Sequence, residues 1–320
     1  MASQQKQKKK NSIIMKQPIM ARMLYALTPI VVVSIYYFGW RTLLVFAVVN
    51  ITGFLAEYLF ARVYKQKVSM AVFVTNFLFA LSLPPTIPIW IAVVGIIFGV
   101  VFGKMVFGGF GRNVFNPALT GRAFIYVSFV VPMTSTWRNP IEGLFGGFAK
   151  FVPDAVTQAT PLRLLAGGGD VSVLNLFIGN VAGSVGETSA IIIIIAAIYL
   201  LWKKTASYRI MLSGLAGFLL FQTLFWLMGV KGVPEPIHAL LAGSFLFGIV
   251  FMATDPISAS QTTDTGRWIY GALIGVLTSL IRTFSVWPEG ITFAILFANM
   301  FAPLLDYIIK NSGKKKVKAS

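Results

Sequence analysis

Cysteine is absent from the 320 residues, and histidine occurs once, at His238. Without thiols the chain holds no disulfide and no thiolate-bound iron–sulfur cluster. One imidazole excludes a bis-histidine haem within the chain. Any redox centre carried here is organic or belongs to a partner. Charge is scarce too: 12% of residues are Asp, Glu, Lys or Arg, where a soluble domain carries roughly 25%. Acidic residues are the rarest of these, ten against 27 basic ones.

Hydrophobic residues fill the space, at 57% of the chain and a mean hydropathy of +0.79. A surface this poor in charge has lipid as its solvent. At about 20 residues per crossing the apolar runs predict an all-α polytopic membrane protein of roughly ten transmembrane helices. They run over 23–38, 43–61, 71–83, 88–102, 118–131, 190–202, 211–230, 239–253, 268–281 and 291–309. Residues 171–183 are too short and too glycine-punctuated to cross and read as an amphipathic or re-entrant segment.

The net charge of +17 is of a size that suits nucleic acid. However, the basic residues gather at the chain ends and in short connections, where they set topology, so no nucleic-acid partner is expected. Lys6, Lys8, Lys9, Lys10, Lys16 and Arg22 precede the first run; Lys310, Lys314, Lys315, Lys316 and Lys318 follow the last. Both termini are therefore expected in the cytoplasm, with Arg62, Lys104, Arg112, Lys203 and Arg209 on the same side. The start, MASQQKQKKK, lacks a following cleavage site and reads as a retained tail. The organisation becomes a basic tail (1–22), a first membrane repeat (23–131), an outer loop (132–170), a second repeat (171–309) and a basic tail (310–320). A connection as long as 132–170 is usually functional.

The two repeats are visible as paired landmarks. Phe77-Leu78-Phe79-Ala80 precedes Pro84-Pro85-Thr86, and Trp90-Ile91 opens a run ending at Lys104. Phe245-Leu246-Phe247-Gly248 precedes Thr254-Asp255-Pro256, and Trp268-Ile269 opens a run ending at Arg282. The two copies enter the membrane from opposite sides, an inverted repeat of five helices plus five, which places sites where broken helices of both halves meet. The Gly-rich stretch 108–121 lacks the preceding strand and spacing of a dinucleotide fold. Its glycines suit close helix approach.

The outer loop contains Asp154-Ala155-Val156-Thr157-Gln158-Ala159-Thr160-Pro161-Leu162. Alone it reads as a polar turn with helix-capping threonines. Together with residues 73–80, 107–124, 183–188, 251–260, 288–290 and 297–306, it makes the chain resemble a family of respiratory membrane subunits. That family, NqrB/RnfD, has one branch in the sodium-translocating NADH:quinone oxidoreductase and another in the Rnf ferredoxin:NAD oxidoreductase. The resemblance implies covalent FMN esterified through its phosphate to Thr160, a phosphoprotein linkage, with Asp154, Thr157 and Ala159 completing the recognition pattern. Gln158 departs from the small residue common at that position. Arg163 lies close enough in sequence to screen the phosphodiester. A tether keeps the cofactor at high effective concentration beside its partners, and flavin supplies one-electron chemistry.

The same resemblance implies non-covalent riboflavin towards the cytoplasmic side, with Asn113, Asn116 and Asp255 as neighbours; these groups equally serve to cap broken helix ends. Gly53 matches a position near the quinone-inhibitor region, and a small residue there also suits helix packing. Glu57, Glu187 and Asp306 lie in or beside apolar runs, where a carboxylate costs on the order of 2.5–3.5 kcal/mol. The family links such acids to sodium uptake and release. Pairing of Glu57 with Arg62, or of Asp306 with Lys310, is the structural alternative, and His238 reads as an interfacial side chain.

The function expected is an electron-carrying subunit of an ion-translocating oxidoreductase in the bacterial inner membrane. Its partners would be the rest of a six-subunit complex, including an FMN-bearing subunit outside and an NADH-oxidising subunit, with quinone, Na+ and a flavin transferase. Length favours the Rnf branch; the runs 113–124 and 255–268 favour the quinone reductase. A small-solute channel or transporter without flavin is the other class.

Overall fold

The computed structural model describes residues 13–153, 159–260, 263–285, 287 and 289–318, with side chains to Ser312. Asp154 and Thr157 lie outside the described residues. The helices are α1 Pro18–Phe38, α2 Trp40–Val63, α3 Ala71–Leu81, α4 Ile89–Val100, α5 Pro117–Ser128 and α6 Val130–Thr134. After the long connection that follows α6 come α7 Pro161–Ala166, α8 Val173–Ile178, α9 Ala190–Trp202, α10 Tyr208–Leu227, α11 Pro236–Leu241, α12 Phe245–Phe247, α13 Asp264–Phe284 and α14 Ile291–Lys318. Wide π-helical turns extend α4 through Val101–Met105 and α12 through Gly248–Met252.

The fold is not wholly helical. Ile14–Met15 (β1) pairs in parallel with Val68–Ser69 (β2), Ile14 opposite Val68. This two-residue ladder ties the segment before α1 to the α2–α3 connection.

Among the described residues, four helices are long and apolar enough to cross a membrane: α1, α2, α10 and the Ile291–Ser312 part of α14. Ala71–Leu81, Ile89–Met105 and Ala190–Trp202 are apolar but shorter. Leu44, Ile51, Leu55 and Leu59 of α2 stay exposed while Val45, Phe46 and Val49 are buried, so the outer surface of the helix is as apolar as its core, as lipid contact requires.

Three expected crossings are interrupted; the run 118–131 breaks at Phe129, between α5 and α6. The run 71–83 stops at Leu81 because Ser82 bonds back to the Phe79 carbonyl and Pro84 follows. The run 239–253 breaks after Leu241: Gly243 takes a left-handed φ of 71°, and Arg282 donates to the carbonyls of Ala239 (2.7 Å) and Ala242 (3.3 Å). Those carbonyls would otherwise be unsatisfied at a helix end inside the protein. Segment 171–183 forms the short, largely exposed α8, ended by Gly179 at φ 105°.

Small residues set the closest crossings. A Cβ on Gly99 of α4 would lie 2.5 Å from the Pro117 carbonyl of α5, and one on Gly275 of α13 would lie 2.1 Å from the Gly214 carbonyl of α10. The segment 141–151 is strapped to the α1–α2 corner. Trp40 and Arg41 amides donate to Lys150 and Phe151 carbonyls, and Ile141 N–H donates to the Tyr37 carbonyl at 2.7 Å. Arg41 also holds the carbonyls of Pro85 and Ile87, so the 84–88 turn sits at the same end as that segment.

Candidate functional site

Helix α5 positions two clefts, one near each of its ends. Asn116 caps its start, accepting from the amides of Ala118 (3.0 Å) and Leu119 (3.4 Å). Tyr126 lies ten residues on, about 15 Å along the axis, and lines the other cleft. The two clefts enclose about 540 and 530 Å³, open solvent at their mouths included.

The first cleft is lined by Thr160, Arg163, Tyr126, Ser184, Glu187 and Glu289, among others. Thr160 is the residue that starts α7, and its hydroxyl makes no capping hydrogen bond. Thr160 thus stands at the N-cap position without using its hydroxyl to cap. Ala159 beside it is exposed. Leu162 anchors α7 in the break between α11 and α12, where a Cβ on Gly243 would lie 2.6 Å from Leu162 Cδ1. The helix break thus seats the short helix that begins at Thr160.

Beneath this cleft Arg122 is 1% exposed and forms ion pairs with both Glu187 and Glu289. Its Nη2 also reaches the Ser184 hydroxyl at 3.4 Å. Arg282 approaches from α13, its Nε donating to the Glu289 carbonyl at 3.4 Å. Two guanidinium groups face two carboxylates, so the cluster is close to neutral and its members hold one another in place.

The second cleft is lined by Lys104, Asn113, Asn116 and Asp255, against Met20, Met23, Val74, Leu78 and Phe251. The structure brings together all three residues expected beside riboflavin. Each is also committed locally: Asn113 donates to the Phe115 carbonyl at 2.9 Å, and Asp255 accepts from Ser258 Oγ at 2.6 Å. Asn299 of α14 links the walls. Its Oδ1 accepts from the Asn116 amide, and its Nδ2 donates to Tyr270 Oη at 2.7 Å and to the Ser258 carbonyl at 3.0 Å.

Lys104, read from the sequence only as a base that sets topology, is 2% exposed. Its Nζ donates to Glu57 Oε2 and to Ser69 Oγ, each at 2.6 Å. Ser69 in turn donates to Glu57 Oε1 from its amide (2.8 Å) and its hydroxyl (2.7 Å). Glu57 therefore pairs with Lys104, and the expected partner Arg62 instead lies over the Tyr58 ring. Glu57 also borders a third cleft with Gln66, Lys67, Gly109 and Arg112.

The remaining acids do not converge. Asp306 accepts from Ser260 Oγ at 2.6 Å, in place of the expected partner Lys310. Glu57, Glu187 and Asp306 sit in three separate environments, and among the described residues no three His, Cys, Asp or Glu side chains gather around a metal. Gly53 packs against Asn76, where a Cβ would fall 2.1 Å from Asn76 Oδ1. His238 pairs with Glu235 at 3.0 Å.

Sequence reasoning did not single out Lys104, Arg122, Ser69, Glu289 and Asn299 as site residues. The signal was present for the two bases: Arg122 sits inside an apolar run and Lys104 at the edge of one, and an intramembrane base demands a partner as much as an acid does.

A family model described as the NQR2, RnfD, RnfE family matches residues 8–315. The NqrB subunit of the Na(+)-translocating NADH-quinone reductase of Ectopseudomonas mendocina is 44% identical over 288 residues, covering 85% of this chain and 68% of that protein. The NqrB of Stutzerimonas stutzeri is 42% identical over 286 residues, with the same coverages of 85% and 68%. That of Klebsiella pneumoniae is 41% identical over 292 residues, covering 86% and 68%. The chain thus matches about two thirds of the length of these relatives.

Proposed function

Because this chain belongs to the NQR2, RnfD, RnfE family, we propose that it is the electron-carrying membrane subunit of a sodium-translocating NADH:quinone oxidoreductase. The observation that carries the reading is Thr160, whose hydroxyl is free of any capping bond and which lines a cleft with Arg163, Tyr126 and Glu187. In this reading Thr160 holds FMN through a phosphoester made by a flavin transferase, with Asp154, Thr157 and Ala159 as the recognition pattern. Arg163 on the same cleft offsets the phosphate charge. The neutral Arg122, Glu187, Glu289 and Arg282 cluster gives the cleft a fixed floor.

In this reading the second cleft takes riboflavin. Its apolar walls suit a ring system, and Asn113, Asn116 and Asp255 supply a few placed donors and acceptors. Flavin supplies one-electron transfer between the two clefts when bound. The chain's own residues exclude water, orient the ligands and fix their spacing along α5. Ten crossings in two inverted halves, both termini cytoplasmic in the bacterial inner membrane, complete the reading. So do quinone near Gly53, sodium handled by Glu57, Glu187 and Asp306, and a six-subunit complex with an outer FMN-bearing subunit and an NADH-oxidising subunit.

The test is in-gel ultraviolet fluorescence of the denatured chain after co-expression with the transferase. A fluorescent band that disappears completely in Thr160→Ala supports the reading. A native chain without fluorescence rejects it and favours a flavin-free transporter. The relatives' names favour the quinone reductase over the Rnf complex. NADH-driven quinone reduction by the purified complex, stimulated by sodium, separates the two.

A further inference from the structure

Lys104 belongs to two sites at once. Its ammonium is held by Glu57 and Ser69, both at 2.6 Å. It also lines the cleft of Asn113, Asn116 and Asp255. Glu57 faces the other way, onto the cleft of Gln66, Lys67 and Arg112. Phe110, whose ring centroid lies 5.9 Å from Nζ, borders both clefts. The Lys104–Glu57 pair is therefore a partition between them. It stands on a π-helical turn, Val101–Met105, an irregularity found often at functional sites.

The chemistry of the partition is that of a cation site filled by a tethered cation. Glu57 and the Ser69 hydroxyl offer hard oxygens, the donor type that suits an unsheathed alkali ion. The ammonium of Lys104 occupies that position. Lysine is a compact point charge on a flexible four-carbon stem, able to reorient without moving the backbone. Asp255 is the carboxylate that the adjoining cleft offers as an alternative acceptor.

We propose that Lys104 is a positioning residue that switches between Glu57 and the Asp255 cleft, making the cation affinity of Glu57 depend on the charge in that cleft. This rests on the function proposed above. With the cleft oxidised, the ammonium stays on Glu57 and Ser69 and keeps a cation out. One electron entering the cleft, supplied by the flavin on Thr160 and ultimately by NADH oxidised on another subunit, adds one negative charge. That charge draws Lys104 towards the cleft and frees Glu57 and Ser69 for one sodium ion arriving past Gln66. Charge balances at one electron and one cation, and no covalent bond in the chain forms or breaks. Lys67 and Arg112 at the mouth are exposed, so dissolved ions screen them.

The experiment measures radiolabelled sodium binding by equilibrium dialysis to the purified complex. It compares the oxidised state with the state reduced by the Tris salt of NADH in the absence of quinone. Native complex is expected to bind sodium about ten-fold more tightly when reduced, within the usual span of coupling between sites. In Lys104→Met the ratio is expected to fall to about one, because affinity in the oxidised state rises once the tethered competitor is gone. Ser69→Ala, which keeps the ion pair and loses one anchor, is expected to give an intermediate ratio and decides the matter if Lys104→Met does not assemble. A Lys104→Met or Ser69→Ala complex that keeps the native ratio overturns the proposal, as does a flavin-loaded native complex whose sodium affinity ignores its redox state. Absence of flavin from the native complex is the separate failure of the underlying function.

Discussion

The two clefts on α5 are built on opposite plans. The Thr160 cleft rests on a closed set of charges: Arg122 pairs with two carboxylates and Arg282 braces Glu289 through its backbone. The Asp255 cleft has a single buried base at its wall, and that base is shared with a neighbouring site. A closed network resists rearrangement; a shared charge permits it. The contrast suits a tethered ligand at one end and a responsive site at the other.

Removing Arg122 should break that comparison most severely. Arg122→Leu removes the ion-pair partner of both Glu187 and Glu289 and leaves Arg282 as the nearby counter-charge for two buried carboxylates, at a cost of about 3–5 kcal/mol. The complex is expected to lose thermal stability in detergent, while Lys104→Met loses less because Ser69 still donates twice to Glu57. Equal losses would show that the two networks are equally rigid. Arg282→Gln comes next. It uncovers the carbonyls of Ala239 and Ala242, each worth about 1–3 kcal/mol when left unpaired. Limited proteolysis is expected to open the α11–α12 break and covalent flavin on Thr160 to fall, with flavin released on denaturation unchanged. The smallest effect belongs to Asn113→Ala, which forfeits one bond to the Phe115 carbonyl, about 0.5–1.5 kcal/mol. Released flavin is expected to drop while the Thr160 band persists.

Much of this was legible in the chain. The membrane class followed from the scarcity of charge, and the runs at 23–38, 43–61, 190–202, 211–230 and 291–309 lie within or overlap α1, α2, α9, α10 and α14. Asn113, Asn116 and Asp255 share a cleft although Asp255 stands far from the asparagines in sequence, and Thr160 borders another. What escaped was pairing. Hydropathy reads Lys104 as the edge of a run, because only the fold places Glu57 and Ser69 around it. The break at Gly243 escaped for the same reason. A run of apolar residues looks continuous until a distant arginine takes on the task of satisfying its carbonyls.

Helix α5 has a last consequence. Asn116 and Tyr126 are fixed on one rod of hydrogen-bonded turns, so the span between the clefts is a property of helix geometry and not of how neighbouring subunits dock. Partners can approach, leave or tilt without changing it. Under the function proposed above, the distance between the two cofactors would then be set inside this one chain.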